Sequence, residues 1–406
     1  MLQSRDEPTC KPFFEGQPAP LISYGLPYPE ACRYHVETTF RSDRVYLLLS
    51  NSLARNSNIS DRFQKALGSK IVGTRVGMKA HTYWSEVLEV INDARALDID
   101  CVITAGAGSL TDAAKVVVWA LANGVRTEND LQKLADRNSP GYQSLKPPTI
   151  KHIAVPTTLS GGEYTSFAGA TNDKTKAKVL FTPPTMNPGV VVLDPEIAAS
   201  TPSRLFLGTG IRAVDHCVET ACSLQSNEKG DQAALQGLKM LVPALLQYRK
   251  DPSDLGAVYQ AQLGAAESVK TSLYGVEKGG SHAIGHQLGP LGVPHGETSC
   301  ILLPAVCRYN ASKGANVQRQ QSLAQELLTL PEVRTLVPGG QEDLADILHA
   351  LIRTLGLPRT LKELDIGRDV FDVVAENTLS DVWAKTNPFP LVDKEDVLEI
   401  LEMVAE

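Results

Sequence analysis

The sequence has no long hydrophobic run. No stretch approaches the roughly 18 to 20 uninterrupted apolar residues that a membrane-spanning helix requires. The first residues, Met-Leu-Gln-Ser-Arg-Asp-Glu, also lack the apolar core that a secretory signal carries. Both absences argue against a membrane or secreted protein, and we expect a cytoplasmic one.

Paired cysteines and an excess of positive charge are also missing. The seven cysteines are odd in number and contain no C-x-x-C pair, which is typical of reduced thiols rather than of a disulfide framework. The 39 Lys and Arg residues are outnumbered by 46 Asp and Glu residues, giving a net charge of −7. This balance argues against nucleic acid or an anionic membrane as a partner. A small anionic substrate would therefore be attracted by a local group of cations.

The residues that are present divide the chain into two halves. A chain of 406 residues is too long for one ordinary core, so two domains are expected. Up to residue 200, short apolar runs alternate with helical segments, which predicts an α/β domain with a parallel sheet. Beyond Thr201-Pro202-Ser203, helical periodicity continues to the C-terminus. We therefore predict an α/β domain over residues 1–200 and an all-helical domain over residues 201–406.

Continuous apolar runs mark the expected strands, and residues 1–42 are expected to form an irregular arm with short strands. The strand candidates are residues 44–50, 70–76, 100–104, 152–155 and 190–193. The clearest helix candidates are residues 60–67, 84–97, 109–121, 205–223, 231–248, 258–272, 344–355 and 396–404.

A glycine-containing loop follows the strand that ends at Thr104. Its sequence is Ala105-Gly-Ala-Gly-Ser-Leu-Thr-Asp-Ala-Ala-Lys115. Gly106 and Gly108 permit tight turns and close approach of a ligand. Ser109 and Asp112 match a capping box, so a helix is expected to begin at Ser109. The free N–H groups of such a helix start could bind a pyrophosphate, and a plain strand-to-helix turn is the alternative.

A second loop rich in hydroxyl groups and glycine follows the next strand. It reads Pro156-Thr-Thr-Leu-Ser-Gly-Gly-Glu163. In open α/β sheets, ligands bind beyond the carboxyl ends of the strands. The two loops could therefore hold the two ends of one dinucleotide.

Three of the eight histidines lie within residues 279–304. His282 and His286 are four residues apart, so they share one face of a helix. A turn of glycine and proline at positions 289, 290, 292 and 294 is expected to return His295 towards that face. Three converging imidazoles predict a metal site or a proton-transfer site. The alternative is three unrelated histidines.

Four segments, taken in order, resemble the iron-type alcohol dehydrogenase superfamily. They are residues 106–115, 156–163, 194–196 (Asp-Pro-Glu) and the histidine stretch with Pro294-His295-Gly296. The resemblance spans roughly residues 20 to 406. Within the superfamily the chain looks closest to the maleylacetate reductase branch. The signs are the shortened Thr-Thr-Leu-Ser-Gly-Gly-Glu loop and the segments 209–216 and 285–295.

The resemblance implies an N-terminal dinucleotide-binding domain, a helical catalytic domain, hydride transfer from NADH or NADPH, and a homodimer. The residues that correspond to the family's pyrophosphate loop are Gly106, Ala107, Gly108 and Ser109, with Asp112 in the same motif. Its nicotinamide-side contacts correspond to Thr157, Thr158 and Ser160. Its metal-binding histidines correspond to His216, His282 and His295, and its extra active-site histidine corresponds to His286.

One departure from the family pattern changes the expected chemistry. Metal-dependent members have a carboxylate four residues before the first histidine, and this chain has Arg212 there. A guanidinium has no free lone pair and repels a divalent cation. Asp215 lies about 100° from His216 around the helix, so it is not expected to replace the missing ligand. We therefore predict an enzyme without a metal. The alternative is that three histidines suffice for zinc.

Arg212 would place a fixed positive charge where relatives hold a cation. It could pair with a substrate carboxylate, or with the oxyanion that forms as hydride arrives. This predicts reduction of a conjugated enone or keto-acid double bond, as in maleylacetate reductase. A histidine, for which we favour His286, would protonate the α-carbon as general acid, and histidine N–H groups would help to stabilise the enolate. The alternative is a structural Arg212 paired with Glu219.

The choice between NADH and NADPH depends on the end of the first strand. NAD selection often uses an acid there, and this strand ends in Ser50-Asn51-Ser52. With Asn51 in place of a carboxylate, we predict that NADPH is used as well as NADH. Lys178 could reach the cofactor, and a solvated surface lysine is the alternative.

Three other functions compete with this prediction. The first is a metal-dependent alcohol dehydrogenase of the same fold, which would interconvert an alcohol and an aldehyde or ketone. The second is a lyase like dehydroquinate synthase, which shares the architecture. The third is a cofactor-binding protein without catalysis, which the four histidines argue against.

Overall fold

The computed structural model describes residues 8–79, 82–139, 141–183, 185–339 and 343–406. The chain consists of two units, Met1–Ser200 and Thr201–Glu406. The strands of the first unit are β1 (Thr9–Pro12), β2 (Leu21–Tyr24), β3 (Val45–Leu49), β4 (Ile71–Val76), β5 (Cys101–Gly106), β6 (Lys151–Pro156), β7 (Ala168–Thr171), β8 (Lys178–Phe181) and β9 (Val190–Val192). Its α-helices are α1 (Tyr28–Tyr34), α2 (Asn51–Asn56), α3 (Ile59–Leu67), α4 (Trp84–Ala96), α5 (Gly108–Ala122), α6 (Glu128–Ala135) and α7 (Pro195–Ala198).

Seven strands of the first unit form one sheet in the order β1-β2-β9-β6-β5-β3-β4. Every neighbouring pair is parallel except β1 with β2 at one edge. The remaining strands, β7 and β8, pair with each other in an antiparallel hairpin. The predicted α/β fold with a largely parallel sheet is therefore confirmed, and the five strand candidates correspond to β3, β4, β5, β6 and β9.

The apolar runs form strands because both faces of the sheet are covered. Tyr46 and Leu48 of β3 belong to a core that includes Trp84 of α4 and residues of α5. The alternate residues of β3 belong to a second core, which includes Tyr28 of α1 and Phe63 of α3. A strand that is buried on both faces has no polar side to show, so its sequence is apolar throughout.

The prediction for the N-terminal arm is wrong in part. The short strands β1 and β2 are present, but residues 28–40 form α1 followed by a π-helix, His35–Phe40. Residues 1–7 lie outside the described residues. The apolar residues Tyr28, Ala31, Cys32 and Val36 recur three or four positions apart and are buried, which is a helical pattern.

The second unit contains only helices among its described residues. They are α8 (Ser203–Cys222), α9 (Glu228–Lys250), α10 (Leu255–Leu273), α11 (Gly280–Leu288), α12 (His295–Ser312), α13 (Val317–Leu328), α14 (Pro331–Leu336), α15 (Leu344–Leu355), α16 (Phe371–Thr378) and α17 (Lys394–Glu402). The predicted all-helical character of this half is therefore confirmed. Over the described ranges, no helix is long and apolar enough to cross a membrane.

Helix α8 is the centre of the second unit. It packs against α9, α10, α12 and α13, and almost every residue from Phe206 to Cys222 is buried. Polar side chains of α8 therefore face other helices rather than water, and each needs a hydrogen-bond partner inside the unit.

Candidate active site

The loops predicted to bind a dinucleotide lie at one edge of the sheet of the first unit. β3, β5 and β6 are neighbouring parallel strands, and their carboxyl ends lead into Asn51, the 106–109 loop and the 157–163 loop. Asn51 is the exposed first residue of α2, and Ser50 Oγ caps that helix through the N–H of Leu53 at 3.3 Å. This edge is where open α/β sheets bind ligands.

The start of α5 fits an anion. The helix begins at Gly108, one residue before the predicted start, and Ala107 precedes it without a side-chain cap. A Cβ on Gly108 would meet no atom within 4 Å, so the space beside the helix start is open. Gly106 has φ of 150°, and a Cβ there would lie 2.5 Å from Leu110 Cδ1. Uncapped N–H groups beside open space are suited to a pyrophosphate.

The predicted capping box of Ser109 and Asp112 is wrong. Asp112 Oδ2 accepts the N–H of Gly169 in β7 at 3.1 Å, and the carbonyl of Ser109 accepts the hydroxyl of Thr82 at 3.0 Å. The side chain of Lys178 crosses Gly169, where an added Cβ would lie 2.1 Å from Lys178 Cε. Asp112 and Lys178 therefore meet beside the β7–β8 hairpin, which was not expected from the sequence.

The second loop is attached to the first by hydrogen bonds. The N–H of Thr157 donates to the carbonyl of Gly106 at 3.0 Å. Buried Lys115 of α5 donates from Nζ to the carbonyls of Gly162 at 2.5 Å and Phe167 at 2.9 Å. Lys115 therefore fixes the second loop against the helix of the first.

The hydroxyl residues expected on the nicotinamide side lie in this second loop. Thr158 Oγ1 and Ser160 Oγ are 3.3 Å apart. Thr157 and Thr158 are buried, and Ser160 is half-buried.

The four histidines expected at the active site form a chain in the second unit. The imidazole centroids of His216 in α8 and His282 in α11 are 4.9 Å apart and nearly stacked. Those of His286 and His295 are 6.1 Å apart. The ring centroid of Trp383 lies 5.4 Å from that of His282 and 5.1 Å from that of His286. His282 and His286 thus share one helix face, and the turn before α12 returns His295 to their neighbourhood.

Glu219 orients His282. Its Oε2 lies 2.7 Å from Nδ1 of His282, and its carboxylate accepts the backbone N–H groups of Gly279 at 2.9 Å and Ser281 at 2.8 Å. Because these backbone groups are donors, the geometry favours an ionised carboxylate that also accepts Nδ1–H. His282 Nε2 then carries the lone pair. This atom is buried and has no hydrogen-bond partner among the described residues.

Asp215 and Arg212 lie beside this pair. Asp215 Oδ2 accepts the hydroxyls of Ser281 at 2.8 Å and Ser299 at 2.6 Å, and it lies 3.5 Å from His282 Nδ1. Arg212 Nη1 donates to Ser299 Oγ at 3.2 Å and lies 3.8 Å from Asp215 Oδ2. The ion pair of Arg212 is thus with Asp215, whereas the structural alternative had paired it with Glu219.

Lys278 supplies a second buried cation. Its Nζ donates to the hydroxyls of Thr220 at 2.9 Å and Thr271 at 2.8 Å, and to the carbonyl of His216 at 3.3 Å. Burial lowers the pKa of Lys278 to about 8, although the charge of Glu219 opposes this. The cluster therefore contains two carboxylates and two cationic side chains.

Burial sets the protonation states of this cluster. It is the main cause that holds the pKa of His216 and of His282 well below the ordinary value, and the charges of Lys278 and Arg212 add to the effect. Both imidazoles are therefore neutral at neutral pH. Burial raises the pKa of Glu219, and the nearby charge of Asp215 raises it further.

One group of side chains in the cluster could hold a divalent cation, but two cationic side chains lie beside it. Within the described residues, the group of His, Cys, Asp and Glu side chains whose ligand atoms all lie within 4.8 Å of one another is Asp215, Glu219 and His282. The predicted alternative set of His216, His282 and His295 does not form such a group there. The carboxylates of the first group already accept several N–H and O–H donors, and a divalent cation would add charge beside Arg212 and Lys278.

His286 has a carboxylate partner that the sequence did not suggest. Its Nδ1 lies 2.9 Å from Asp381 Oδ2. Asp381 is 95 residues away in sequence, so no local spacing indicates the pair. Lys278, Ser281 and Ser299 were also missed. Ser281 and Ser299 are buried polar residues within helices, and this is the one sequence signal that could have found them. Lys278 lies just before α11, where no such pattern marks it.

Family models for iron-containing alcohol dehydrogenases match both units. Residues 30–195 match the model described as "Iron-containing alcohol dehydrogenase". Residues 206–405 match the model described as "Fe-containing alcohol dehydrogenase family, C-terminal". The two matches together cover most of the chain.

Individual proteins show the same similarity. The chain is 38% identical to Dehydrogenase FUM7 of Gibberella moniliformis, over 95% of this chain and 96% of that protein. It has a TM-score of 0.71 to maleylacetate reductase from Agrobacterium tumefaciens, at 23% identity over 93% of each chain. Its TM-score to an alcohol dehydrogenase from Oenococcus oeni is 0.78, at 24% identity over 93% of this chain and 96% of that one. At these identities the two structures establish the fold.

Proposed function

Because the chain belongs to the iron-containing alcohol dehydrogenase family, we propose that it uses NAD(P)H to reduce a double bond conjugated to a carbonyl group, as maleylacetate reductase does. Family membership confirms the predicted resemblance and the oxidoreductase class. The substrate, the cofactor and the absence of a metal are the proposed parts. The proposed substrate class agrees with the presence of a maleylacetate reductase among the structural relatives.

The environment of Arg212 is the observation that carries the proposal. The side chain is 10% exposed, and only its Nη1 is hydrogen-bonded to a residue in the described part of the chain. Its Nε and Nη2 groups are therefore available to a ligand. Since Asp215 holds the guanidinium from one side, Arg212 can offer its other donors to a carboxylate or an oxyanion in a fixed orientation.

Each residue has a defined part in the proposed reaction. When bound, NAD(P)H supplies the hydride that the β-carbon of the substrate accepts. Arg212 stabilises the negative charge that develops on the carbonyl oxygen, in a buried site where charge interactions are strong. His286 delivers a proton from Nε2 to the α-carbon while Asp381 holds Nδ1. One hydride and one proton are thus added across the double bond.

The role first expected for His282 changes. With Nδ1–H directed to Glu219, its Nε2 is an acceptor and offers no N–H to an enolate. We propose instead that Nε2 of His282 accepts a hydrogen bond from a hydroxyl group of the substrate or of the enol. The stabilising donors are then those of Arg212.

The proposed cofactor contacts are those at the sheet edge. The uncapped start of α5, with Gly106, Ala107, Gly108 and Ser109, would take the pyrophosphate. Thr157, Thr158 and Ser160 would lie on the nicotinamide side. Neutral Asn51 would accept NADPH as well as NADH, because a 2′-phosphate meets no carboxylate there.

An assay with paired substrates tests the proposal. Maleylacetate and a simple conjugated enone, each with NADPH or NADH, would be compared with primary alcohols and NAD(P)⁺. We expect NAD(P)H consumption with the conjugated substrates and product reduced at the carbon–carbon bond, identified by mass and NMR. Rapid alcohol oxidation, without turnover of any conjugated substrate, would contradict the proposal.

A second candidate function is a metal-dependent alcohol dehydrogenase. One observation favours it: His282 combines an unpartnered, buried Nε2 with a carboxylate on Nδ1, which is how many metal-binding histidines are held. Arg212 and Lys278 beside this atom argue against it. Metal analysis of the purified protein separates the two functions.

We further propose a cytoplasmic homodimer. The seven cysteines are all free in the structure, which suits a reducing compartment. Light scattering of the purified protein measures the oligomeric state.

A further inference from the structure

We propose that Asp381 is the positioning residue of the proton donor, fixing the tautomer and orientation of His286; this inference rests on the proposed function. Its carboxylate makes two separate contacts. Oδ2 lies 2.9 Å from His286 Nδ1, and Oδ1 accepts the backbone N–H of Trp383 at 3.0 Å. The second contact orients the carboxylate before any substrate arrives. Because a carboxylate accepts hydrogen bonds, His286 carries its retained proton on Nδ1 and presents Nε2 to the substrate.

Trp383 fixes the same imidazole from its face. The two ring centroids are 5.1 Å apart with the planes 36° apart. The indole is held in turn, because Nε1 donates to Glu277 Oε2 at 2.7 Å. His286 is thus held at Nδ1 and on one ring face. Asp381, Trp383 and Glu277 come from outside α11, so the helix alone does not determine where Nε2 points.

This arrangement supports one proton delivery per turnover. The imidazolium of His286 gives its Nε2 proton to the α-carbon of the enolate, whose electron pair forms the new C–H bond. The Nδ1 proton stays on the hydrogen bond to Asp381, so the imidazole becomes neutral without a change of tautomer. The side chain of His286 is 33% exposed, and solvent restores the Nε2 proton. Without Asp381, the neutral ring could place its proton on Nε2 or rotate away from the substrate.

A purely structural role for Asp381 is the competing explanation, since its side chain also caps the turn at residues 382–384. Asp381→Asn separates the two roles, because asparagine caps as well as aspartate but carries no charge and can donate to Nδ1. Asp343→Asn is the matched control. Asp343 caps α15 through the N–H of Asp346 at 2.8 Å, and among the described residues it forms no hydrogen bond with a histidine.

Kinetics provide the first readout. We expect Asp381→Asn to lower kcat about 10-fold or more, with little change in the KM for NADPH, and Asp343→Asn to leave both unchanged. In a His286→Gln background, Asp381→Asn should have no further effect on kcat, because the two residues act as one unit. An equal reduction of kcat by Asp381→Asn in the wild-type protein and in the His286→Gln background would overturn the proposal.

Histidine ¹⁵N NMR provides a readout that does not require turnover. The signal of His286, assigned by its loss in His286→Gln, should show the Nδ1–H tautomer in the wild-type protein when neutral. The tautomer of His286 should change in Asp381→Asn and should stay the same in Asp343→Asn. An Nε2–H tautomer in the wild-type protein would overturn the proposal, even if Asp381→Asn failed to fold. If the tautomer depends on Asp381 but no conjugated substrate is reduced, the proposed function fails and the positioning of His286 stands.

Discussion

Oε2 of Glu219 lies 2.7 Å from Nδ1 of His282, which is within hydrogen-bond distance. Both side chains are buried, and Asp215, Arg212 and Lys278 surround them. The site is therefore built on fixed, balanced charges. The first three predictions concern this cluster, and the fourth concerns buried neutral histidines.

The first prediction concerns the guanidinium. Arg212→Ala should lower kcat/KM for the conjugated substrate by roughly 10²-fold, because an oxyanion donor is lost. Arg212→Lys should recover little of this, since an ammonium lacks the planar fork of donors. Arg204→Ala on the same helix is the control, because Arg204 pairs with Glu297 and is 63% exposed in its side chain. Unchanged kinetics in Arg212→Ala would show that Arg212 takes no part in the reaction.

The second prediction concerns the carboxylate that orients His282. Glu219→Gln leaves the backbone N–H groups of Gly279 and Ser281, together with Nδ1–H, competing for one acceptor oxygen. We expect a loss of roughly 1 to 3 kcal/mol in stability, because a buried N–H group is left without its acceptor. The measurement is the shift of the urea unfolding curve.

The control for this experiment is Glu267→Gln. Glu267 pairs with Lys270 at 2.6 Å on a partly exposed surface. Such a pair contributes about 0 to 1 kcal/mol. A similar loss of stability in both variants would refute the assigned importance of Glu219.

The third prediction concerns metal content. We expect elemental analysis to find well under one iron or zinc per chain, and excess chelator to leave activity unchanged. Arg212→Asp replaces the buried cation with a possible ligand, so it should increase zinc retention relative to the wild type. One metal ion per wild-type chain, removed together with activity, would establish the alcohol dehydrogenase alternative.

The fourth prediction concerns pH. Burial lowers the pKa of His152 to about 3, and that of His282 lies well below its usual range. Unfolded histidines bind a proton below about pH 6.5, so the unfolded state takes up more protons than the folded state as the pH falls. The contribution of the neutral histidines to the stability of the folded protein is thus fully present above pH 6.5. It is lost progressively as the pH falls.

His152→Gln tests this pH dependence in the first unit. Each buried neutral histidine should contribute roughly 2 kcal/mol to the loss between pH 7 and pH 5. His152→Gln should therefore reduce the difference in melting temperature between these two pH values. His349→Gln, at an exposed position, should reduce it less. An unchanged pH dependence in His152→Gln would contradict the assignment.

The sequence predicted the elements that are defined by continuous burial or by long periodicity. β3 and β5 were recognisable because both faces of each strand are apolar, and α15 was predicted with its observed limits. The β7–β8 hairpin was missed, because its first strand, Ala168–Thr171, is short and contains small residues. Local patterns carry little information about such a strand.

The site was predicted where residues are close in sequence and missed where they are distant. His282, His286 and His295 lie within one stretch, whereas Asp381 is remote from all three. Asp215 was considered only as a replacement for the missing metal ligand on the face of α8 that carries His216, so its place in the cluster was missed. That helix is buried on nearly every side, so a residue 100° away faces another helix and joins the same cluster.

The two serine hydroxyls on Asp215 have a consequence for how the site can be altered. Ser281 is the second residue of α11 and Ser299 lies in α12, so a single carboxylate of α8 joins three helices. The buried cluster and the packing of these three helices are therefore expected to form together. Attempts to redirect this enzyme to new substrates should leave that junction intact and vary the more exposed positions around His295.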